Sequence, residues 1–354
     1  MQRFVQLHLL TSYPPSNLNR DDTGRPKTAL MGDAQRLRIS SQSQKRAWRT
    51  SELFEFALAG HIGTRTKDMG KRIHEALTCA GIADKAAREW ARQIAGRFGK
   101  LKSDKKMDKD EDLQIEQLAH FSPEEVEAIE ALTKTCAERG GAPSDEELQL
   151  LRKPRKAADI AMFGRMLADS PAFNMEAAVQ VAHAITVHSS PVEDDYFSAV
   201  DDLNTGLSDK GAAHIGERSF GAGLYYLYIC IDRTLLAENL GQDVALARRV
   251  LEAFLHAVTK VSPTGMQNSH ASRAYASYVV AEKGDQQPRS VSQAFLKPVK
   301  PYGDQDMLDL AVHAIERRYQ NFDKVYGPCA DARKSLNVEK GEGSLAELIA
   351  FVQD

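Results

Sequence analysis

Arg36-Leu37-Arg38-Ile39-Ser40-Ser41-Gln42-Ser43-Gln44-Lys45-Arg46-Ala47-Trp48-Arg49 changes its periodicity halfway along. Leu37-Arg38-Ile39 reads as a short strand, which delivers Arg36 and Arg38 to one side because alternate strand residues share a face. Ser40 or Ser41 then supplies an N-cap, and a helix is predicted from about Gln42 through Leu58. A helix N-terminus carries unpaired backbone N–H groups and the positive end of the helix dipole, so it attracts a phosphate. Ser40, Ser41, Gln42 and Ser43 add side-chain donors for phosphate or ribose oxygens, and Lys45 and Arg49, four apart, extend the cations along one helix face. A serine-capped helix with surface cations fits the same residues.

Outward from this stretch, the chain alternates strands and helices. Phe4 to Leu10 is an apolar run of strand length, followed by loop chemistry at Pro14, Pro15, Asn17, Asn19, Gly24 and Pro26. Residues 65–155 read as helical, with Ile73, Leu77, Trp90, Ile94 and Phe98 at helical spacing and helix starts at Ser122 and Ser144. Lys100 to Asp112 is a charged linker within this block. An amphipathic helix is predicted near Met175–His188, with Ala178, Val181, Ala182 and Ile185 on one face. Residues 189–222 form a long polar excursion, functional or a protruding hairpin. Leu224 to Ile231 is the strongest strand, Asp243–Val261 a long helix and Tyr275–Ala281 another strand; Asp306–Tyr326 and Ser344–Val352 close the chain as helices. The predicted class is α+β, with two insertions interrupting the core.

The bulk numbers exclude several functions. No apolar run reaches the roughly 18 residues of a membrane span, and Met1 to Leu10 lacks a secretory cleavage pattern. Cys79, Cys136, Cys230 and Cys329 lie far apart with no CxxC pair, which points to reduced thiols in the cytoplasm and away from zinc. No phosphate-binding glycine loop, nucleophile elbow or metal-protease motif occurs, so no catalytic residue, metal or cofactor is expected. The net charge of −3 conceals an asymmetry: residues 1–50 hold nine Lys or Arg against three acids. Such a basic face on a mildly acidic chain suits a polyanion, or equally a solvated surface.

At this point the chain resembles a known family, the CasC-type backbone subunit of the Cascade complex of type I-E CRISPR systems. The matching pieces are Leu18-Asn19-Arg20-Asp21-Asp22, the Arg36–Arg49 stretch, Asp159 to Met166, Val181 to His188, Phe197 to Leu203, Gly211 to Gly216 and Glu238-Asn239-Leu240. They keep the family's order and span most of the chain. The resemblance implies a right-hand shape: a ferredoxin-like (RRM-like) palm at 1–60, 156–188 and 223–354, helical fingers at 61–155 and a β-hairpin thumb at 189–222. It implies a subunit that polymerises head to tail along a CRISPR guide RNA, with a six-copy backbone, other Cascade subunits as partners and target DNA reached through the guide. Such binding uses phosphate and ribose contacts and leaves sequence reading to base pairing.

By motif, the RNA contacts carried over are Asn19, Arg20, Lys27, Arg38, Ser40, Ser41, Gln42, Lys45, Arg46 and Arg49, with Arg165 and Met166 near the bases. In the thumb, Tyr196, Phe197 and Val200 are suited to wedge between bases, and for Phe197 that reading is preferred to anchoring the hairpin. Lys100, Lys102, Lys105, Lys106 and Lys109 form a solvated linker or meet DNA. Asp33 stands where relatives often carry glycine, which leaves metal-dependent cleavage of target RNA, as in type III backbone subunits, as the enzymatic alternative. A stand-alone RNA-binding protein is the third reading.

Overall fold

The apolar run that opens the chain forms β1 (Phe4–Ser16), and β2 (Thr28–Met31) and β3 (Ala34–Ile39) lead into α1 (Ser41–Arg49) and α2 (Glu52–Ala57). A mainly helical stretch follows: β4 (Thr64–Thr66), α3 (Met69–Cys79), α4 (Asp84–Ala95), β5 (Ala119–Phe121), α5 (Pro123–Arg139) and α6 (Ala158–Phe163). Next come β6 (Val179–Val181), β7 (Ala184–Thr186), β8 (Glu193–Ala199) and β9 (His214–Asp232). The rest is α7 (Arg233–Asn239), α8 (Val244–Lys260), α9 (Gln267–His270), β10 (Tyr278–Gly284), α10 (Met307–Tyr326), β11 (Ala332–Asn337) and α11 (Leu345–Gln353). This computed structural model describes residues 2–102, 110–151, 153–199, 202 and 214–354. The protein is α+β.

The chain divides into two compact units: Met1–Phe54, Gln180–Asp232 and Leu251–Asp354 form the first, Glu55–Val179 and Arg233–Val250 the second. Residues 233–250, read from sequence as part of the palm, therefore cluster with the helical unit. Among the described residues, nine strands make one sheet in the order β11-β10-β1-β9-β7-β3-β2, with β6 and β8 also pairing β9. The pairings of β1, β3, β7, β8 and β10 with their neighbours are antiparallel. The second unit holds its own core, in which Ile73, Leu77, Trp90, Ile94 and Phe98 are all buried.

Four sequence readings change. The helix expected at Met175–His188 is instead the pair β6 and β7, with Ile39 opposite Ala184 and Ile185 opposite Tyr226. Val179, Val181, Ile185 and Thr186 are β-branched, and the sheet supplies partners that a propensity argument cannot see. The helix predicted to Leu58 breaks at Thr50, and Ser51 restarts it by accepting from the Phe54 N–H at 3.3 Å. Ser144 and Glu147 make a capping exchange, but only a turn follows it, and Arg139 pairs with the same Glu147. The excursion at 189–222 does not end at the core: β9 is one 19-residue strand that runs from the hairpin into the sheet centre.

β1 is covered on both faces, so its polar residues need internal partners. Gln6 Oε1 accepts from the Tyr228 hydroxyl at 2.8 Å and from the Arg289 N–H at 2.7 Å. His8 lies 2.9 Å from the Tyr226 hydroxyl and 3.1 Å from Glu282, both through ring nitrogens. Arg289 forks onto both Glu282 oxygens at 2.6 and 3.0 Å, and Arg333 adds a third cationic donor at 2.5 Å. Burial alone would raise the Glu282 pKa, but His8 and Arg289 outweigh it and hold the carboxyl below the usual carboxylate range. Burial outweighs the contact with Glu282 and lowers the pKa of His8, while Nε2, facing a carboxylate that can only accept, is a donor.

Because its folded-state pKa is depressed, ionised Glu282 contributes stability above an unfolded value of about 4.3 and loses it as pH falls towards the folded value. Glu282→Gln should cost about 3 kcal/mol at neutral pH, where a buried charge cluster loses its anion. Thermal melts between about pH 7 and about pH 3 should fall less steeply for the variant than for the wild type; equal acid limbs would remove Glu282 from that role.

Candidate nucleic-acid interface

The strand-to-helix turn at Arg36–Arg49 is built as a nest of backbone donors, all within the first unit. Ser40 is the N-cap of α1, and its hydroxyl accepts from the Ser43 N–H at 3.3 Å. Its own N–H donates to Asn19 Oδ1 at 2.8 Å. The Asn19 carbonyl accepts from the Lys27 N–H, and the Lys27 carbonyl from the Arg38 N–H, both at 2.8 Å. One asparagine thus ties loop, strand and helix together. Asp21 caps its own loop: Oδ1 accepts from Thr23 and from the Arg25 N–H at 3.0 Å. The Thr23 hydroxyl and then backbone N–H groups hold the Asp21 carboxyl below its ordinary pKa.

α1 turns Gln44, Ala47 and Trp48 inward, Trp48 meeting Phe254 edge-on at 5.6 Å between ring centroids. That leaves Gln42, Lys45, Arg46 and Arg49 on the opposite arc of the helix. Gln42 and Arg46 are exposed; Ser41, Lys45 and Arg49 are half-buried. Desolvation lowers the Lys45 pKa. Arg20 is exposed, Lys27 and Arg38 are half-buried, and Ser40 is buried with its hydroxyl engaged in the cap.

His183 is the residue that sequence reasoning missed. It leads into β7, and the antiparallel register that sets Ile39 opposite Ala184 brings it to the α1 N-terminus. Its Nδ1 accepts from the Ser41 N–H at 3.1 Å and lies 3.3 Å from Arg38 Nη1. The alternation of Val181, His183 and Ile185 could have revealed a strand rather than a helix. His188, by contrast, is consumed by the Ser189 carbonyl and the Leu224 N–H.

Two arginines expected to face outward do not. Arg36, unlike the half-buried Arg38, is fully buried, and its guanidinium donates to the carbonyls of Thr186 at 2.9 Å and Phe295 at 2.8 Å. Arg165, expected near the bases, is a buried structural residue of the second unit. It donates to Glu125 at 2.6 Å and to the carbonyls of Phe173 and His120. Glu125 is also the reciprocal partner in the Ser122 capping box, so Arg165 locks the start of α5. Met166, in the same unit, is 78% exposed.

Within the hairpin, strand alternation separates the wedge candidates. Phe197 lies opposite Gly216, where an added Cβ would come 2.4 Å from the ring, and Arg218 stacks over it at 4.8 Å. Phe197 therefore lies on its own hairpin as an anchor. Tyr196 is 68% exposed, and Ile215, on the opposing strand and the same face, is 56% exposed. Val200, Lys105, Lys106 and Lys109 lie outside the described residues. Lys102 is tied to Gln114 and Lys100 to Glu116. Asp33 sits at φ +56° beside Gly32 at φ +59°, the two-residue turn joining β2 to β3. Both φ values suit a type I′ hairpin turn, in which aspartate is tolerated. Among the described residues no cluster of three metal-ligating side chains occurs, and no helix is long and apolar enough to cross a membrane.

An α+β chain with a basic strand-to-helix turn and a projecting hairpin has counterparts of known setting. One solved structure, a chain titled "CRISPR RNA-guided surveillance complex, pre-nicking", is 30% identical with a TM-score of 0.87, covering 99% of both chains. A second, titled "CRISPR RNA-guided surveillance complex", is 26% identical with a TM-score of 0.74 and the same coverage. The class is therefore that of CRISPR surveillance-complex subunits, as the sequence motifs implied. The CT1975-like protein family model matches residues 5–350, and the chain belongs to that family. No curated protein matches it significantly.

Arg36→Met should destabilise the protein by about 3 kcal/mol, since it strands two buried carbonyls at about 1–3 kcal/mol each. Arg38→Met, one pleat away, should stay within about 0.5 kcal/mol. Chemical denaturation of both variants checks this; similar losses would mean that Arg38 is also structural.

Proposed function

We propose that this chain is the repeated backbone subunit of a type I-E CRISPR surveillance complex, holding the guide RNA by its sugar-phosphate backbone and presenting its bases to target DNA. The observation that carries this is the grouping of Arg20, Lys27, Arg38 and Arg46, exposed or half-buried, about the strand-to-helix turn at the α1 N-terminus. Contacts of this kind position a polyanion without reading its sequence. The titles of the similar structures support the assignment of an RNA guide as ligand.

In this reading the sheet of the first unit is the palm, the helical unit the fingers and the β8–β9 hairpin the thumb. Copies add head to tail, six along one guide, and the exposed Tyr196–Ile215 face of the hairpin enters the base stack where Phe197 and Val200 had been the expected wedge. Met166 and the target DNA belong to the finer part of the same proposal, as do the other Cascade subunits. The chain acts in the cytoplasm and without catalysis: Asp33 serves its turn, and cleavage of the target falls to another protein.

The deciding experiment is co-expression with a CRISPR array and its processing enzyme, followed by sizing of the particle and of any extracted RNA. A large particle with one discrete RNA length and several protein copies is expected; a nucleic-acid-free monomer in the presence of all partner subunits would overturn the reading. Incubation with complementary RNA and Mg²⁺ or Mn²⁺ should give no spaced cleavage products, and a ladder lost in Asp33→Asn would make the protein an enzyme. Arg20→Ala with Arg46→Ala should flatten the log-affinity versus log-salt slope by about 1.4, at about 0.7 per lost phosphate contact on single strands.

A further inference from the structure

Arg38 and the Ser41 amide can only donate, so the nitrogen of His183 between them must be the ring's acceptor. The ring is therefore a neutral imidazole with its hydrogen on Nε2, and one Nδ1 lone pair serves two donors. Those two donors, a guanidinium and the first N–H of α1, are the groups best suited to grip a phosphate at this turn. In the free protein the imidazole occupies them. The charged groups acting on the ring are Arg38 on β3 and Lys27 before β2, both cations, and α1 presents its positive end. Burial first, then these two cations, lowers the pKa of His183 from its ordinary value.

We propose that His183 is a positioning residue that holds the phosphate donors in register, and that RNA binding hands them to a phosphate while Nδ1 takes up one proton from solvent. This rests on the reading of the face as an RNA-backbone site. A phosphate is an anion and a stronger acceptor than neutral imidazole, so it captures the Ser41 N–H and Arg38. The ring is then left beside an anion with a vacant lone pair, where its charged form is favoured. Protonated, it becomes a donor on both nitrogens and adds one cation to the strip. The sign of the linkage follows: the bound state has the higher pKa, so affinity rises as pH falls through the bound-state value and levels off below the free-state value.

The test uses the full chain and a labelled single-stranded RNA, with binding measured from about pH 8 to about pH 5.5, the range over which a histidine titrates. Calorimetry in buffers of different ionisation enthalpy counts the protons taken up. Wild-type affinity should rise about three- to tenfold on acidification, the limit for one proton being tenfold per pH unit. His183→Asn, whose amide oxygen can still accept from Ser41 but cannot titrate, should lose that rise and the proton uptake; His183→Gln serves if the first variant misfolds. An identical pH profile in wild type and variant, or a pH-independent loss of affinity alone, would overturn the proposal. Absence of RNA binding by the wild type at every pH would sink the RNA-backbone reading itself, which separates the two failures.

Discussion

The first unit turns on a buried cation. Arg36 is fully buried, and carbonyl oxygens from three separate segments surround its guanidinium: Met31, Thr186 and Phe295. A guanidinium cannot shed its charge, so a site like this is tolerated only if every nearby acceptor is held in place. The three acceptors come from the end of β2, the end of β7 and the segment before α10, and the Gly32 turn closes over Leu296 so tightly that an added Cβ would overlap its carbonyl. Whatever fixes Arg36 also fixes the neighbouring pleat. Arg38, two residues on, is only half-buried, and it reaches His183 beside β7, the strand whose Thr186 carbonyl Arg36 holds.

From that anchor the interface is preorganised by backbone chemistry more than by side-chain packing. Asn19 satisfies the Ser40 N–H, Asp21 closes the loop between Arg20 and Arg25, and Arg25 in turn meets Asp194 at the base of the hairpin. Ser219 donates to the same aspartate at 2.6 Å, and Asn17 donates to the Ser219 carbonyl. Loop, strand, helix and hairpin are therefore connected through hydrogen bonds that do not involve the outward cations. For the RNA backbone proposed as ligand, such ordering in advance would lower the entropy lost on binding.

Much of this was legible in the residues, and the exceptions share a cause. The Ser40 cap, the Arg36–Arg49 change of period, the helical core at Ile73 to Phe98 and the α+β class all follow from local pattern. The misread elements depend on partners distant in sequence. Val179 to Thr186 has spacing compatible with a helix, and only β9 and β3, at its sides, decide for a strand. Arg36 and Arg165 look like surface cations because nothing nearby in sequence announces the carbonyls of Phe295 or the carboxylate of Glu125 that bury them. Phe197 was read as a wedge for the same reason: Gly216, which makes room for its ring, lies across the hairpin. Family motifs point to the strand-to-helix turn despite these errors, because they report chain position and not burial.

The charge asymmetry can now be assigned to particular residues. Of the nine cations in residues 1–50, Arg3 is paired with Asp232, Arg25 with Asp194, and Arg36 is internal. The others, Arg20, Lys27, Arg38, Lys45, Arg46 and Arg49, belong to the strand-to-helix turn and its approach. Removing three cations from the count sharpens the strip, since the rest of the chain carries an acidic excess that repels polyanions elsewhere. A uniformly basic protein would coat any nucleic acid and would gain affinity everywhere along it. In the proposed reading, a narrow strip on a chain that is otherwise acidic would hold each copy to one track, and donors first held by a neutral imidazole would add a local condition that a phosphate at that turn meets.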